Sequence, residues 1–205
     1  MTDTFERLLA DARALTSRPG RTILGITGAP ASGKSTLAER LVEELGDAAA
    51  LVPMDGFHLD DAVLRAHGSW GRKGAIDTFD GAGYAHLLRR LRVAEHTVYA
   101  PRFDRGLEAS IAGAVEIPPT VPLVVTEGNY LLADTGPWPA ARAAIDEVWF
   151  LRIDTGIRRE RLIERHRRFG RSLDDARERA LGSDENNAEL IESGAGRADR
   201  IVVLD

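Results

Sequence analysis

Gly28-Ala29-Pro30-Ala31-Ser32-Gly33-Lys34-Ser35 reads G-x-x-x-x-G-K-S, and Thr36 follows it directly. Before it stands Thr22-Ile-Leu-Gly-Ile-Thr27, a short, branched and mostly apolar run that predicts a buried strand. After it, Leu37, Leu41, Val42 and Leu45 fall on one face of a helix that Gly46 ends. Strand, glycine loop and helix are the context in which this pattern cradles phosphate. Backbone N–H groups of such a loop form a nest for phosphate oxygens at the positive end of a helix dipole. Lys34 is expected to reach the β- and γ-phosphates, and the Ser35 hydroxyl to hold Mg²⁺. Of the 27 lysines and arginines only Lys34 and Lys73 are lysines. One of the two stands where a compact, strongly hydrated ammonium suits phosphate better than a planar guanidinium does. The stretch implies a nucleoside triphosphate as ligand.

Length and composition bound the rest. A chain of 205 residues predicts one α/β domain over 1–205, with one core and a small lid. A charged fraction of 29% and a formal net charge of −5 give no electrostatic case for a nucleic-acid partner. Without cysteine there is no disulfide, thiol nucleophile or thiolate metal site. The first residues lack a basic start and an apolar core, and no apolar run approaches membrane-spanning length. A cytoplasmic monomer or homodimer is the expectation.

Strand and helix patterns alternate along the chain, which predicts a mainly parallel sheet. A helix is expected over 4–16 and a second strand over 49–54, followed by a glycine-rich stretch at 66–83. A helix near 84–95, a short strand around 97–100, and buried strands over 121–126 and 147–153 come next. Two arginine-rich helices over about 156–182 form the expected lid, a short helix follows Asp184, and a strand over 200–204 closes the sheet.

In such sheets ligands bind beyond the carboxyl ends of the strands. The second strand ends in Asp55-Gly-Phe-His58 and the 121–126 strand in Glu127-Gly-Asn-Tyr130. Asp55 is placed to accept a proton from an attacking hydroxyl, and Glu127 to bind Mg²⁺ directly or through water. His58 follows Asp55 on the ligand side and is a candidate acceptor contact. The run Arg158–Arg171 reads mostly as a solvated face with i,i+4 pairs. Phosphoryl transfer nevertheless needs cations near the γ-phosphate, and Arg165, then Arg161, are the candidates.

With these pieces in place, the chain resembles the uridine kinase, phosphoribulokinase and pantothenate kinase group of P-loop kinases. It looks closest to small bacterial uridine-kinase-like or fructose transport system kinase-like members. The resemblance rests on the loop at 28–35, M-D-G-F-H at 54–58, D-T-F-D at 77–80 and P-R-F-D at 101–104. It continues through V-T-E-G-N-Y-L-L at 125–132, R-L-I-E-R-H at 161–166 and S-D-E-N-N-A at 183–188. It implies a three-layer P-loop NTPase fold and ATP-dependent phosphorylation of a hydroxyl on a small molecule. By the same resemblance Asp55 matches the general base and Glu127 the acidic residue near the metal. Asp80, Arg102, Phe103, Asp104 and Tyr130 fall in acceptor-pocket motifs, Arg165 matches a lid arginine, and Asn187 lies where adenine is held.

One departure bears on the acceptor. Uridine kinases carry a histidine a few residues after their Tyr-Asp pair, whereas here Phe103-Asp104 is followed by Arg105-Gly-Leu-Glu108. Glu108 near that position suits the hydroxyls of a sugar or polyol better than a uracil edge. A uridine-type nucleoside kinase or a pantothenate-like kinase is the alternative within the group. A regulatory ATPase without a small acceptor is the alternative of another class. A GTPase reading guanine through N-K-x-D is excluded, because neither lysine follows an asparagine.

Overall fold

The computed structural model describes residues 3–168 and 170–203. Its centre is a five-stranded sheet in the order β2 (Ala49–Pro53), β5 (Leu123–Glu127), β1 (Thr22–Thr27), β6 (Glu147–Arg152), β7 (Arg200–Val203). Every pairing in it is parallel. Both faces are covered, which is why β1 and β5 are mostly apolar without alternation and buried at every position. Ile23, Val52, Tyr84, Leu88, Val124 and Phe150 pack on one face. Leu8, Leu24, Ile26, Leu41, Val125 and Trp149 pack on the other.

Helices α1 (Phe5–Leu15) and α2 (Lys34–Leu45) belong to the second face and contribute Leu8, Leu37 and Leu41 to its core. Arg200 of β7 binds Asp3 at 2.5 Å and Asp11 at 2.6 Å, fixing the start of α1 beside the sheet edge. Helices α3 (Asp61–Ala66), α4 (Gly81–Arg92) and α5 (Trp138–Arg142) follow β2, precede β3 and precede β6 respectively. The sheet is flanked by helices, and the expected mainly parallel three-layer architecture holds.

A second sheet was not foreseen. The short strand expected near 97–100 runs on as β3 (Val98–Asp104) and pairs antiparallel with β4 (Ala109–Ile117). The register shifts between Ala100 and Arg102, where Pro101 has no N–H to give to the ladder. The bulge turns the Pro101 carbonyl against Gly56, where any Cβ would collide with it. A Cβ on Gly128 would meet Met54 Cβ at 2.5 Å. These two close approaches draw the hairpin and the loops after β2 and β5 together.

Helices α6 (Thr155–Arg168), α7 (Leu173–Leu181) and α8 (Ser183–Ser193) complete the chain before β7. Not all of the arginine run is a solvated face. Arg158 is 4% exposed and binds Glu185 of α8 at 2.5 Å, and Arg159 binds the same carboxylate at 2.7 Å. His166 meets Asp184 at 2.6 Å, a second tie between α6 and α8.

Candidate active site

Parallel register sets the site. Glu127, last residue of β5, stands level with Ile26 of β1 on one side and Pro53 of β2 on the other. The phosphate loop leaves β1 one residue later, and a 3₁₀ turn carrying Asp55 leaves β2. Gly33 (φ 95°) caps α2 in the left-handed region, and Ala31 shares that conformation (φ 66°). A non-glycine there is a strained backbone position of the kind that collects at ligand clamps.

Two cavities meet at this loop. One, of about 900 Å³, is lined by Ala31–Leu37, by Phe5 and Leu8 of α1, by Arg40, and by Glu160, Arg161, Glu164, Arg165 and Arg168 of α6. The other, of about 680 Å³, is lined by Asp55, His58, Glu127 and Asn129, by the 70–75 segment, and by Phe103, Arg105 and Glu108 of the hairpin. Arg165, His166, Arg171, Arg179, Asp184, Asn186 and Asn187 close it. Lys34, Ser35, Arg105 and Arg165 line both cavities.

At the junction Ser35 and Glu127 line the same wall, and the nearby hydroxyl favours the charged form of the carboxylate. Burial pushes Glu127 up to about 7, partly opposed by Lys34, with Asp55 adding to the rise. Burial likewise holds Lys34 below its ordinary value, while Glu127 and Asp55 pull it back. Arg105 reaches the Asp55 carboxylate at 3.3 Å. The His58 ring lies between Phe79 (4.1 Å between centroids) and Phe103 (4.7 Å), with Nδ1 2.8 Å from the Asp55 carbonyl. Burial lowers its pKa.

The structure thus brings together most of the residues singled out in the sequence and separates a few. Asp80 does not line the cleft; its carboxylate caps α4 by accepting from the Gly83 N–H at 2.8 Å. Arg102 is exposed outside both cavities, and Asp104 accepts from the Gly106 and Leu107 N–H groups to shape the hairpin turn. Tyr130 is 1% exposed in the core, its hydroxyl donating to the Gly74 carbonyl at 2.7 Å. Asn187, expected at the adenine, lines the cavity on the Asp55 side. Lys73, which the sequence weighs as an acceptor contact against a solvated loop, lines the smaller cavity, whereas Phe5, Arg40, Trp70, Arg105, Asn129, Arg171 and Arg179 were not named as site residues from sequence. Only Arg40 carried a local signal, one helical turn beyond Thr36 on the loop's own helix.

The chain is 39% identical to the ATP-dependent kinase-like protein notR' of Aspergillus versicolor over 148 residues, 67% of this chain and 86% of that one. It is 37% identical to a crystallised protein provisionally described as a fructose transport system kinase, from Silicibacter sp. TM1040. That match covers 97% of this chain and 98% of the other, with a TM-score of 0.87. The chain belongs to the uridine-kinase-like P-loop kinases. A Schizosaccharomyces pombe protein provisionally named a uridine kinase is 28% identical over 211 residues, 97% of this chain and 90% of that one. No family model matches. The kinase is a phosphotransferase, and among its described residues no helix is long and apolar enough to cross a membrane.

Proposed function

We propose that this kinase transfers the γ-phosphoryl group of ATP to a hydroxyl of a small sugar, polyol or nucleoside, with the larger cavity taking the donor and the smaller the acceptor. The observation that carries the reading is the shared wall. A phosphoryl group passing between the cavities crosses it at Lys34, Ser35, Arg105 and Arg165. Asp55 and Glu127 stand on the acceptor side of it.

Residues 28–36 hold the triphosphate through backbone N–H groups and the Lys34 ammonium. Phe5, with the Arg40 guanidinium 3.9 Å over its ring, gives the donor's base a flat surface. The donor set fits a hard cation, because Ser35 and Glu127 bring two oxygens to the same wall of the cavity. Among the described residues no cluster of three His, Asp or Glu side chains forms a dedicated metal cage. Magnesium characteristically takes one or two protein oxygens and completes its shell from phosphate and water. Bound there, it would neutralise phosphate charge.

Asp55 takes the proton of the acceptor hydroxyl as that oxygen bonds to the γ-phosphorus, while the bond from phosphorus to the bridging oxygen breaks and ADP leaves. Lys34, Arg105 and Arg165 meet the charge moving onto the transferred group and the leaving oxygen. The α6–α7 pair brings Arg165 from the lid side, and its closure would exclude water.

The test is ADP release from Mg·ATP across sugars, polyols, nucleosides and pantothenate, with Lys34→Ala as the blank. One strong acceptor supports the reading. ADP release that is indifferent to every acceptor overturns it in favour of an ATPase.

A further inference from the structure

The acidic side chains of the smaller cavity are nearly all engaged. Asp61 accepts from Lys73 Nζ at 2.7 Å and from Trp70 Nε1 at 2.9 Å. Asp184 is held by His166, Asp55 faces Arg105, and Glu127 faces the Lys34 ammonium. Arg72 is likewise committed, with two bonds of 2.5 Å to Asp77. Arg171 and Arg179 are different. Both line the cavity, and among the described residues neither guanidinium has a hydrogen-bond or ion-pair partner in the protein. Arg158 and Arg159, on the adjoining helix, share a carboxylate.

Unmatched guanidinium groups beside Arg165 and Arg105 gather positive charge in one small cleft, an arrangement that an anion relieves. A guanidinium presents a rigid planar fork of donors that fits carboxylate or phosphate oxygens two at a time. The γ-phosphate already has the loop, Lys34 and Arg165. Arg171 and Arg179 line only the acceptor cavity, so the anion they await is not the donor's.

We infer that the acceptor is itself an anion, a polyhydroxy compound bearing a carboxylate or a phosphate monoester, whose charged group is held by Arg171 and Arg179. The hydroxyl to be phosphorylated lies at Asp55. Glu108, entering from the hairpin, accepts from a further hydroxyl. The inference rests on the kinase reading above and narrows it. It has a mechanical consequence: α7 follows α6, so an acceptor held by α7 helps to set Arg165 over the transferring group.

Matched triplets test it: glycerol, glycerate and glycerol 3-phosphate, then ribose, ribonate and ribose 5-phosphate. ADP release is measured with each, and binding of each to protein loaded with a non-hydrolysable ATP analogue is measured by calorimetry. The expected result is a kcat/KM at least about tenfold higher for a charged member than for its neutral partner, as a charge-assisted pair predicts. Whether glycerate and ribonate or the phosphates prevail names the anion.

Arg179→Met and Arg171→Met are expected to raise KM for that anion by about 30-fold, with KM for ATP unchanged. Arg179→Lys is expected to recover part of the loss and guards against a variant that merely misfolds. Neutral members served as well as charged ones would overturn the inference and leave the kinase standing. So would variants that raise KM for ATP instead. Neither acceptor-dependent ADP above the Lys34→Ala blank nor binding of any member would overturn both.

Discussion

The two cavities share a wall, but their floors are built in opposite ways. The larger cavity, proposed for the donor, takes its floor from one local stretch, residues 31–37, whose backbone N–H groups suit phosphate, and its remaining walls from α1, Arg40, Arg105 and α6. The acceptor cavity is assembled from distant segments: 70–75, the Phe103–Glu108 turn, the end of β5, and the ends of α6, α7 and α8. Its useful groups are side chains. A site made of backbone is specified by conformation, and one made of side chains by convergence. On the proposed reading the floor of the first suits one chemistry, phosphate, while the second changes its ligand whenever a few side chains change.

That contrast breaks first at Lys34. Lys34→Ala should lower kcat/KM by about 10³-fold or more, because positioning and charge are lost together. Near-normal transfer in a steady-state assay would remove the loop from the mechanism. Asp55→Asn should slow kcat by about 10²–10⁴-fold while leaving ATP affinity near wild type. Lost Mg·ATP affinity with turnover retained would move Asp55 from the acceptor cavity's chemistry to the metal.

The same contrast explains what was legible in the sequence. The loop, its strand and its helix are dictated by neighbours a few residues apart, and their reading needs no tertiary information. The carboxylates at Asp55 and Glu127 were legible because parallel strands place their carboxyl ends on one rim. The β4 strand was hidden. Ala109–Ile117 contains small residues and Gly113 (φ 66°), alternates weakly, and is a strand only because β3 lies beside it. Its hairpin delivers Arg105, which no local pattern marks. Asp80 and Asp104 read as acceptor contacts because a capping aspartate and a binding aspartate are the same residue in sequence. Which cavity Asn187 lines was not legible, because the placement of α8 depends on Arg158, Arg159 and His166 fastening it to α6.

Smaller effects sharpen the division. Phe5→Ala should raise KM for ATP by roughly tenfold and leave the acceptor's KM alone, since an aromatic surface of this kind contributes about 1–3 kcal/mol per base. The acceptor's KM moving instead would place Phe5 on the wrong side of the wall. Glu127 gives a pH test. Its carboxyl titrates near 7 in the folded protein and at its ordinary 4.5 when unfolded, so the folded state holds the extra proton between those values. Stability without ligands is therefore highest below that window and falls as pH rises through it. The melting temperature should drop from pH 5 to pH 7.5 by about 2–4 °C per kcal/mol lost, and Glu127→Gln should flatten the slope. Mg·ATP affinity should rise through the same window, because metal ligation needs the carboxylate.

Lys73 gives the smallest effect and the most selective one. Its ammonium binds the Asp61 carboxylate and the Glu108 carbonyl, both at 2.7 Å, and sits 5.2 Å from the centre of the Phe103 ring. It therefore ties α3 to the hairpin turn, the two walls of the acceptor cavity with no backbone pairing between them. Glu108 needs that support, since its own backbone is left-handed at φ 52°. The Lys73 side chain is 16% exposed but Asp61 is 39% exposed, so the pair is screened by solvent and its effect is small. Lys73→Met keeps the length of the side chain and removes the tether. KM for the acceptor should rise by about five- to tenfold, equivalent to roughly 1 kcal/mol, with kcat and KM for ATP unchanged. A change confined to KM for ATP would mean that the hairpin serves the donor, and the two-cavity division would fail at the residue that tests it most gently.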